Sequence, residues 1–197
     1  ERLHQCAVTI EHEIDGDAFA ALMHGADRVA ILAMAARLRG DGLFATPQAR
    51  HDLAQIYQAT GVAAVHQRLL RRWLDGLLDA GALSCDDGQY HGLIAADDAT
   101  VRNLWAEVDD LERKAGYGSQ TLHYIRVCSD QLSGLLRGEV DVRAILFPQG
   151  ELGTAHAAYR DNLVSRSMNG MVVATVRALA ESRKTRNGAP LRVLEVG

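Results

Sequence analysis

The chain has 197 residues, 48% of them hydrophobic and 23% charged, with a formal net charge of −4. That is enough apolar material for one good core or two small ones, and it excludes a disordered chain. Lys and Arg alternate with Asp and Glu, so no single-sign field marks out a phosphate backbone or an anionic bilayer as a partner. Cys6, Cys85 and Cys128 are odd in number and lack CxxC spacing, which argues for reduced thiols in a cytoplasmic protein rather than a disulfide framework or a zinc site. No uninterrupted apolar run has the length of a membrane span, and no secretory leader is present. Glu1 in place of an initiator Met points to an excised segment.

Residues 1–25 read as a linker or lead-in. Glu11-His12-Glu13 carries metal-ligand residue types, but neighbours in sequence do not converge on one ion, so this is a solvated charge run. Asp27 to Leu38 is apolar around most of its circumference, which predicts a helix buried among others. Gly40-Asp41-Gly42 breaks it. Thr46-Pro47 then supplies an N-cap with proline at the first helical position, predicting a helix to Thr60 that Gly61 closes. From Ala63, the stripe Val65, Leu69, Leu70, Trp73, Leu74, Leu77, Leu78 predicts an amphipathic helix ended by Gly81. Ala82 to Cys85, the turn Asp86-Asp87-Gly88 and Gln89 to His91 predict a hairpin.

Helix, turn, helix and hairpin over residues 46–93 have the order of a winged-helix unit. Such a unit can set its second helix into a major groove, with Arg68, Arg71 and Arg72 as contacts, or it can be a scaffold on which these arginines are simply solvated. The acidic balance favours the scaffold. Further helices are predicted over Asp98 to Lys114, Gln120 to Leu136, Ala155 to Arg166 and Asn169 to Glu181, followed by a basic linker from Arg183 to Gly188. The histidines show no metal-ligand spacing, and no nucleophile elbow or phosphate loop occurs.

The run from Pro190 to Gly197 reads as a buried strand stopping on glycine, as the first strand of a doubly wound sheet does beside its ligand. Its Leu194-Glu195-Val196-Gly197 resembles the opening of motif I in methyltransferases that use S-adenosylmethionine (SAM). Upstream, the segment from Leu135 to Gly150 with its Leu146-Phe147-Pro148-Gln149-Gly150 turn, then Tyr159, then the stretch from Asn162 to Asn169, resembles the region before motif I in the C-methyltransferase domains of modular polyketide synthases. Leu69 to Leu83 is similar to that family's N-terminal lid. The resemblance covers the chain after Ala26.

It implies a mainly α chain: a helical lid over residues 26–137 containing the winged-helix-like unit, helices over 138–190, and over 191–197 the first strand of a class I, Rossmann-like α/β core. It implies SAM as cofactor, with Glu195, Gly197, Tyr159 and Asn169 on the cofactor side and Phe147 on the substrate channel. It implies methylation of the α-carbon of a β-ketoacyl chain carried by an acyl carrier protein, with neighbouring synthase domains as further partners and no nucleic acid or membrane. The catalytic His/Glu pair would fall after Gly197, so the residues here would not turn over alone. Three other readings stand beside it. A methyltransferase-like adaptor region of a loading module, non-catalytic or metal-dependent, would lack the glycine turn and the His/Glu pair. A winged-helix repressor would bind DNA. A free-standing small-molecule O-methyltransferase has a similar lid.

Overall fold

The computed structural model describes residues 15–184, together with positions 192 and 194. Helix α1, Gly16–Gly40, starts where the Asp15 carboxylate accepts from the Ala18 N–H at 2.9 Å. It therefore begins well before Asp27, and residues 16–25 are part of this helix rather than a linker. Leu22 and Gly25 there are already buried, and a Cβ at Gly25 would lie 2.9 Å from Leu111.

Strand β1, Arg50–His51, follows α1. Helix α2, Leu53–Thr60, opens on a capping box in which Asp52 accepts from the Gln55 N–H and the Gln55 side chain accepts from the Asp52 N–H. The expected start at Thr46-Pro47 is thus wrong. Those residues sit in the turn before β1, whose pairing with a distant strand overrides the local cap signal. A 3₁₀ turn over Ala64–His66 leads into α3, Gln67–Asp79, as expected. Strands β2, Ser84–Asp86, and β3, Gln89–His91, pair antiparallel across Asp87-Gly88. Both loop residues have positive φ, 50° and 76°, the Asp-Gly signature of a type I′ turn. The sheet order β1-β3-β2 completes a winged-helix unit, to which the end of α1 contributes the first helix.

Helix α4, Asp98–Ala115, runs beside α1. Where one helix was expected from Gln120 to Leu136 there are two, α5, Ser119–Asp130, and α6, Leu132–Arg137, with Gln131 out of helical geometry between them. A short helix α7, Val142–Leu146, precedes the Pro148–Gly150 turn. Helix α8, Gly153–His156, passes into a π-turn, Ala157–Asp161, and after Asn162 the long α9 runs over Leu163–Lys184. The expected break between Arg166 and Asn169 is therefore at Asn162 instead. The strand expected over residues 190–197 lies outside the described residues, apart from Arg192 and Leu194, which are exposed and in no strand.

Two cores share α1. Ala35 and Leu38 face the winged-helix unit, packing with Phe44, Ile56, Leu70, Leu74 and Leu77. Leu22, Val29, Ala33 and Ala36 face Val101, Leu104, Trp105 and Val108 of α4 and Leu122 of α5. Burial from two sides is why α1 is apolar nearly all round. By length and composition α1 could cross a membrane, with a mean hydropathy of 1.3 over its most apolar stretch. Its seven buried residues instead place it between the two cores.

Arg39 clasps the end of α1 to the wing. Its guanidinium donates to the carbonyls of Ile94 at 2.9 Å, Phe44 at 3.0 Å and Leu93 at 2.6 Å. Nearby, Asp41 pairs with Arg37 and, at 3.3 Å, with Arg137, while Arg137 Nε donates to the Thr60 carbonyl. Burial pushes the Asp41 carboxyl up despite both arginines.

Candidate functional site

Of the residues that the sequence singles out, Tyr159 lies on the π-turn and Asn169 on α9, and the π-turn packs against α5. The Gly116-Tyr117-Gly118 turn sets up this junction. Gly118 has φ 144° and ψ 97°, a conformation open to glycine, and its N–H donates to the Glu112 carboxylate at 3.1 Å. A Cβ there would lie 3.4 Å from Asn162 Cα.

Asn162 is the anchor, at 3% exposure. Its Oδ1 accepts from the Ser165 N–H at 2.9 Å, capping α9, while Nδ2 donates to the carbonyls of Ala158 at 2.7 Å and Ala157 at 3.3 Å. The buried Thr121 hydroxyl donates to the same Ala157 carbonyl at 2.9 Å, and the Leu163 N–H donates to the Tyr117 carbonyl. Several groups freed by the break between the π-turn and α9 thus find partners. Sequence reasoning passed over Asn162 as a cap, although Asn followed by Leu163-Val164 is a legible N-cap signal.

Tyr159 stands out from the π-turn at 73% exposure. It lies near enough to Tyr124 on α5 to bear on that phenol, which is pushed up to about 12 chiefly by burial and then by its hydrogen bond with Cys128. Burial raises the Cys128 thiol as well. Both groups are therefore protonated at neutral pH and neither acts there as a base. Asn169 is exposed on α9, more than a turn past the cap, so it is on a different element from Tyr159. Phe147 ends α7 and is 37% exposed. Glu195 and Gly197 lie outside the described residues.

An apolar cleft of about 200 Å3 opens between α1, α3, α4, α5 and the start of α6, lined by Met34, Trp73, Trp105, Ile125, Cys128 and Leu132. Arg126 lies over the Trp105 ring, 4.8 Å from its centroid, and is held there by Asp109 at 2.8 Å. No group of three His, Cys, Asp or Glu side chains converges on a metal-sized site among the described residues.

Among solved structures, the chain superposes on the carbon methyltransferase of CurJ with a TM-score of 0.71 at 24% identity, over 90% of this chain and 48% of that one. Against the DszA carbon methyltransferase the TM-score is 0.74 at 21% identity, over 92% and 44%. The chain shares its fold with part of each of these two carbon methyltransferases. In sequence, it is 29% identical over 181 residues to the pyochelin synthetase PchF of Pseudomonas aeruginosa PAO1, and 28% identical to that of strain UCBPP-PA14. The chain spans a tenth of those synthetases and under half of the two carbon methyltransferases. No family model matches it.

Among the described residues no parallel strand is followed by a glycine turn. The sheet is the short antiparallel wing, and the positive-φ glycines sit at helix ends and turns, not after a parallel strand.

Proposed function

We propose that this chain is the lid-bearing part of a SAM-dependent C-methyltransferase domain in a polyketide synthase. The methyl would go to the α-carbon of a β-ketoacyl chain on an acyl carrier protein, in the cytoplasm. The observation that carries this reading is likeness to two carbon methyltransferases over nine tenths of the chain. The relatedness to a biosynthetic synthetase, PchF, points the same way.

The exposed apolar stripe of α9 adds support. Val164, Met168, Met171, Val172 and Leu179 recur at helical spacing, and all are at least 38% exposed. We place the cofactor-binding half of the domain against this stripe, with Glu195 and Gly197 on its first strand and Tyr159, Asn169 and Phe147 facing it.

SAM would supply an electrophilic methyl group on sulfur. The described residues would have the lid's part: to hold the acyl chain and keep water from the carbanion that loss of an α-proton leaves behind. The proton-abstracting base is assigned to the cofactor-binding half.

The test is SAM titration calorimetry on the full-length protein, followed by mass spectrometry of a carrier-bound β-ketoacyl thioester. Saturable binding and one added methyl on the acyl chain are expected. A full-length protein that binds no SAM would overturn the enzymatic reading and leave an adaptor.

A further inference from the structure

The burial of α9 is all at its base. Leu163, its first residue, is buried, and from Val164 to Ser182 no residue is. At about 1.5 Å per residue its 22 residues make a rod roughly 33 Å long. A turn of about 10° at the base therefore carries the far end about 6 Å. Whatever the stripe of α9 bears takes its position from the geometry of that base.

The base is tied on several sides. Asn162 leaves helical geometry, with φ −71° and ψ 159°, so α9 does not continue the π-turn and its direction is set at this one residue. The Asn162 side chain joins the two sides of the break, accepting from the Ser165 N–H of α9 and donating to the carbonyls of Ala157 and Ala158 in the π-turn. The backbone adds a further tie, from the Leu163 N–H to the Tyr117 carbonyl at 2.7 Å. Tyr117 packs its ring 5.9 Å from that of Phe19 on α1, and the N–H of the next residue, Gly118, is held by Glu112 of α4. The angle of α9 is thus referred to both long helices of the second core. A cap needs only the bond to Ser165. The remaining ties fix a direction.

We propose that Asn162 is a positioning residue for methyl transfer, which sets the angle between the lid and the cofactor-binding half through α9. At 3% exposure it is itself out of reach of acyl chain and cofactor. The inference rests on the methyltransferase reading for what is positioned. The lid holds the acyl chain and α9 bears the half that holds SAM, so an error in this angle takes the α-carbon off the line of the sulfonium methyl. A misplacement of about 1 Å costs about 100-fold in rate. A turn of only about 2° at the base moves the far end of α9 that far.

The experiment uses the full-length protein with spin labels on unnatural residues at Asn103 of α4 and Arg177 of α9, both exposed among the described residues. Pulsed electron resonance reads the distance between them. Wild type is expected to give one narrow distance and Asn162→Ala a broad distribution. SAM affinity by calorimetry and methyl transfer to a β-ketoacyl thioester at saturating substrates are measured alongside. Asn162→Ala is expected to lower kcat at least about tenfold, with Kd for SAM unchanged. Arg39→Met loosens the other core and controls for stability; below its melting temperature it keeps the narrow distance and the wild-type kcat. Thr121→Val removes the second donor to the Ala157 carbonyl, shows a smaller effect of the same sign, and takes over if Asn162→Ala does not fold.

A distance that stays narrow in Asn162→Ala, or in Thr121→Val where Asn162→Ala does not fold, overturns the proposal. So does a broadened distance with kcat unchanged, or an equal fall of kcat in Arg39→Met, which makes the effect one of stability. If wild type methylates nothing, the methyltransferase reading falls, and a distance that broadens in Asn162→Ala still upholds Asn162 as the residue that aims α9.

Discussion

Replacing Asn162 with Ala separates two roles that its side chain holds at once. The change removes the N-cap acceptor of α9, worth about 1 kcal/mol. It also strips the carbonyls of Ala157 and Ala158 of a donor in a site where Asn162 is 3% exposed, at about 0.5–1.5 kcal/mol each. Thr121 still donates to Ala157, which offsets part of that loss. The expected cost is about 2–3 kcal/mol, or roughly 1 M off the urea midpoint for a slope of about 2–3 kcal/mol/M. Asn162→Asp is the informative companion. It keeps the cap and adds a favourable negative charge at the helix N-terminus, but it turns a carboxylate toward two carbonyl oxygens. If the junction works as described, Asp is no better than Ala. Urea unfolding followed by circular dichroism decides it, and an Asp variant as stable as wild type would refute the clamp and leave only a cap.

Other consequences are independent of that site. Arg39→Met should cost about 3–5 kcal/mol, because it leaves three carbonyls at the α1–wing joint without their donor; a loss under about 1 kcal/mol in urea unfolding would mean water replaces the guanidinium. Asp41 has a raised carboxyl pKa in the folded state, with burial as the largest cause. Its contribution to stability is therefore complete below the ordinary value of 3.8 and is lost as pH rises through the folded value. Stability of wild type relative to Asp41→Asn should fall over that rise, and a difference that grows with pH would contradict the assignment. Tyr124, pushed up to about 12, should ionise after an ordinary tyrosine. In an ultraviolet titration of the folded protein, Tyr124→Phe should remove the latest part of the tyrosinate rise, and loss of an early part would contradict it.

Much of the fold is legible in sequence where one local signal acts alone. The stripe through Leu70, Leu74 and Leu77 fixes α3, Asp87-Gly88 fixes the hairpin, and Gly61, Gly81, Gly116 and Gly138 all take the positive φ expected after a helix. The all-round apolar character of α1 correctly signals a central helix. Legibility fails where signals compete. Thr46-Pro47 and Asp52-Gln55 are both good helix starts. What selects the second is the pairing of Arg50 with His91 and of His51 with Tyr90, some forty residues on, which no local window contains. The break at Gln131 is hidden for a similar reason. The apolar pattern runs through it from Leu122 to Leu136, both buried. Of the candidate site, the sequence finds the neighbourhood of Tyr159 but not Asn162, the residue that holds it.

The two faces of the winged-helix unit show the same contrast. In a DNA reader the outward face of the second helix is set for phosphates and base edges, and the wing reinforces it. Here the wing tip carries Asp86 and Asp87, with Asp86 held by His91 at 2.7 Å, so its charge opposes that use. The inward face of α3 is conventional, with Leu70, Leu74 and Leu77 wholly buried. One side of the helix thus fixes the fold while the other, with Arg68, Leu69 and Arg72, is exposed. The stability of the unit rests on α1, which the winged-helix core shares with α4 and α5. Substitutions on the outward face of α3 should therefore leave both cores intact, whereas a change at Ala33 or Ala36, between α1 and α4, should be felt through α1 by the winged-helix core as well.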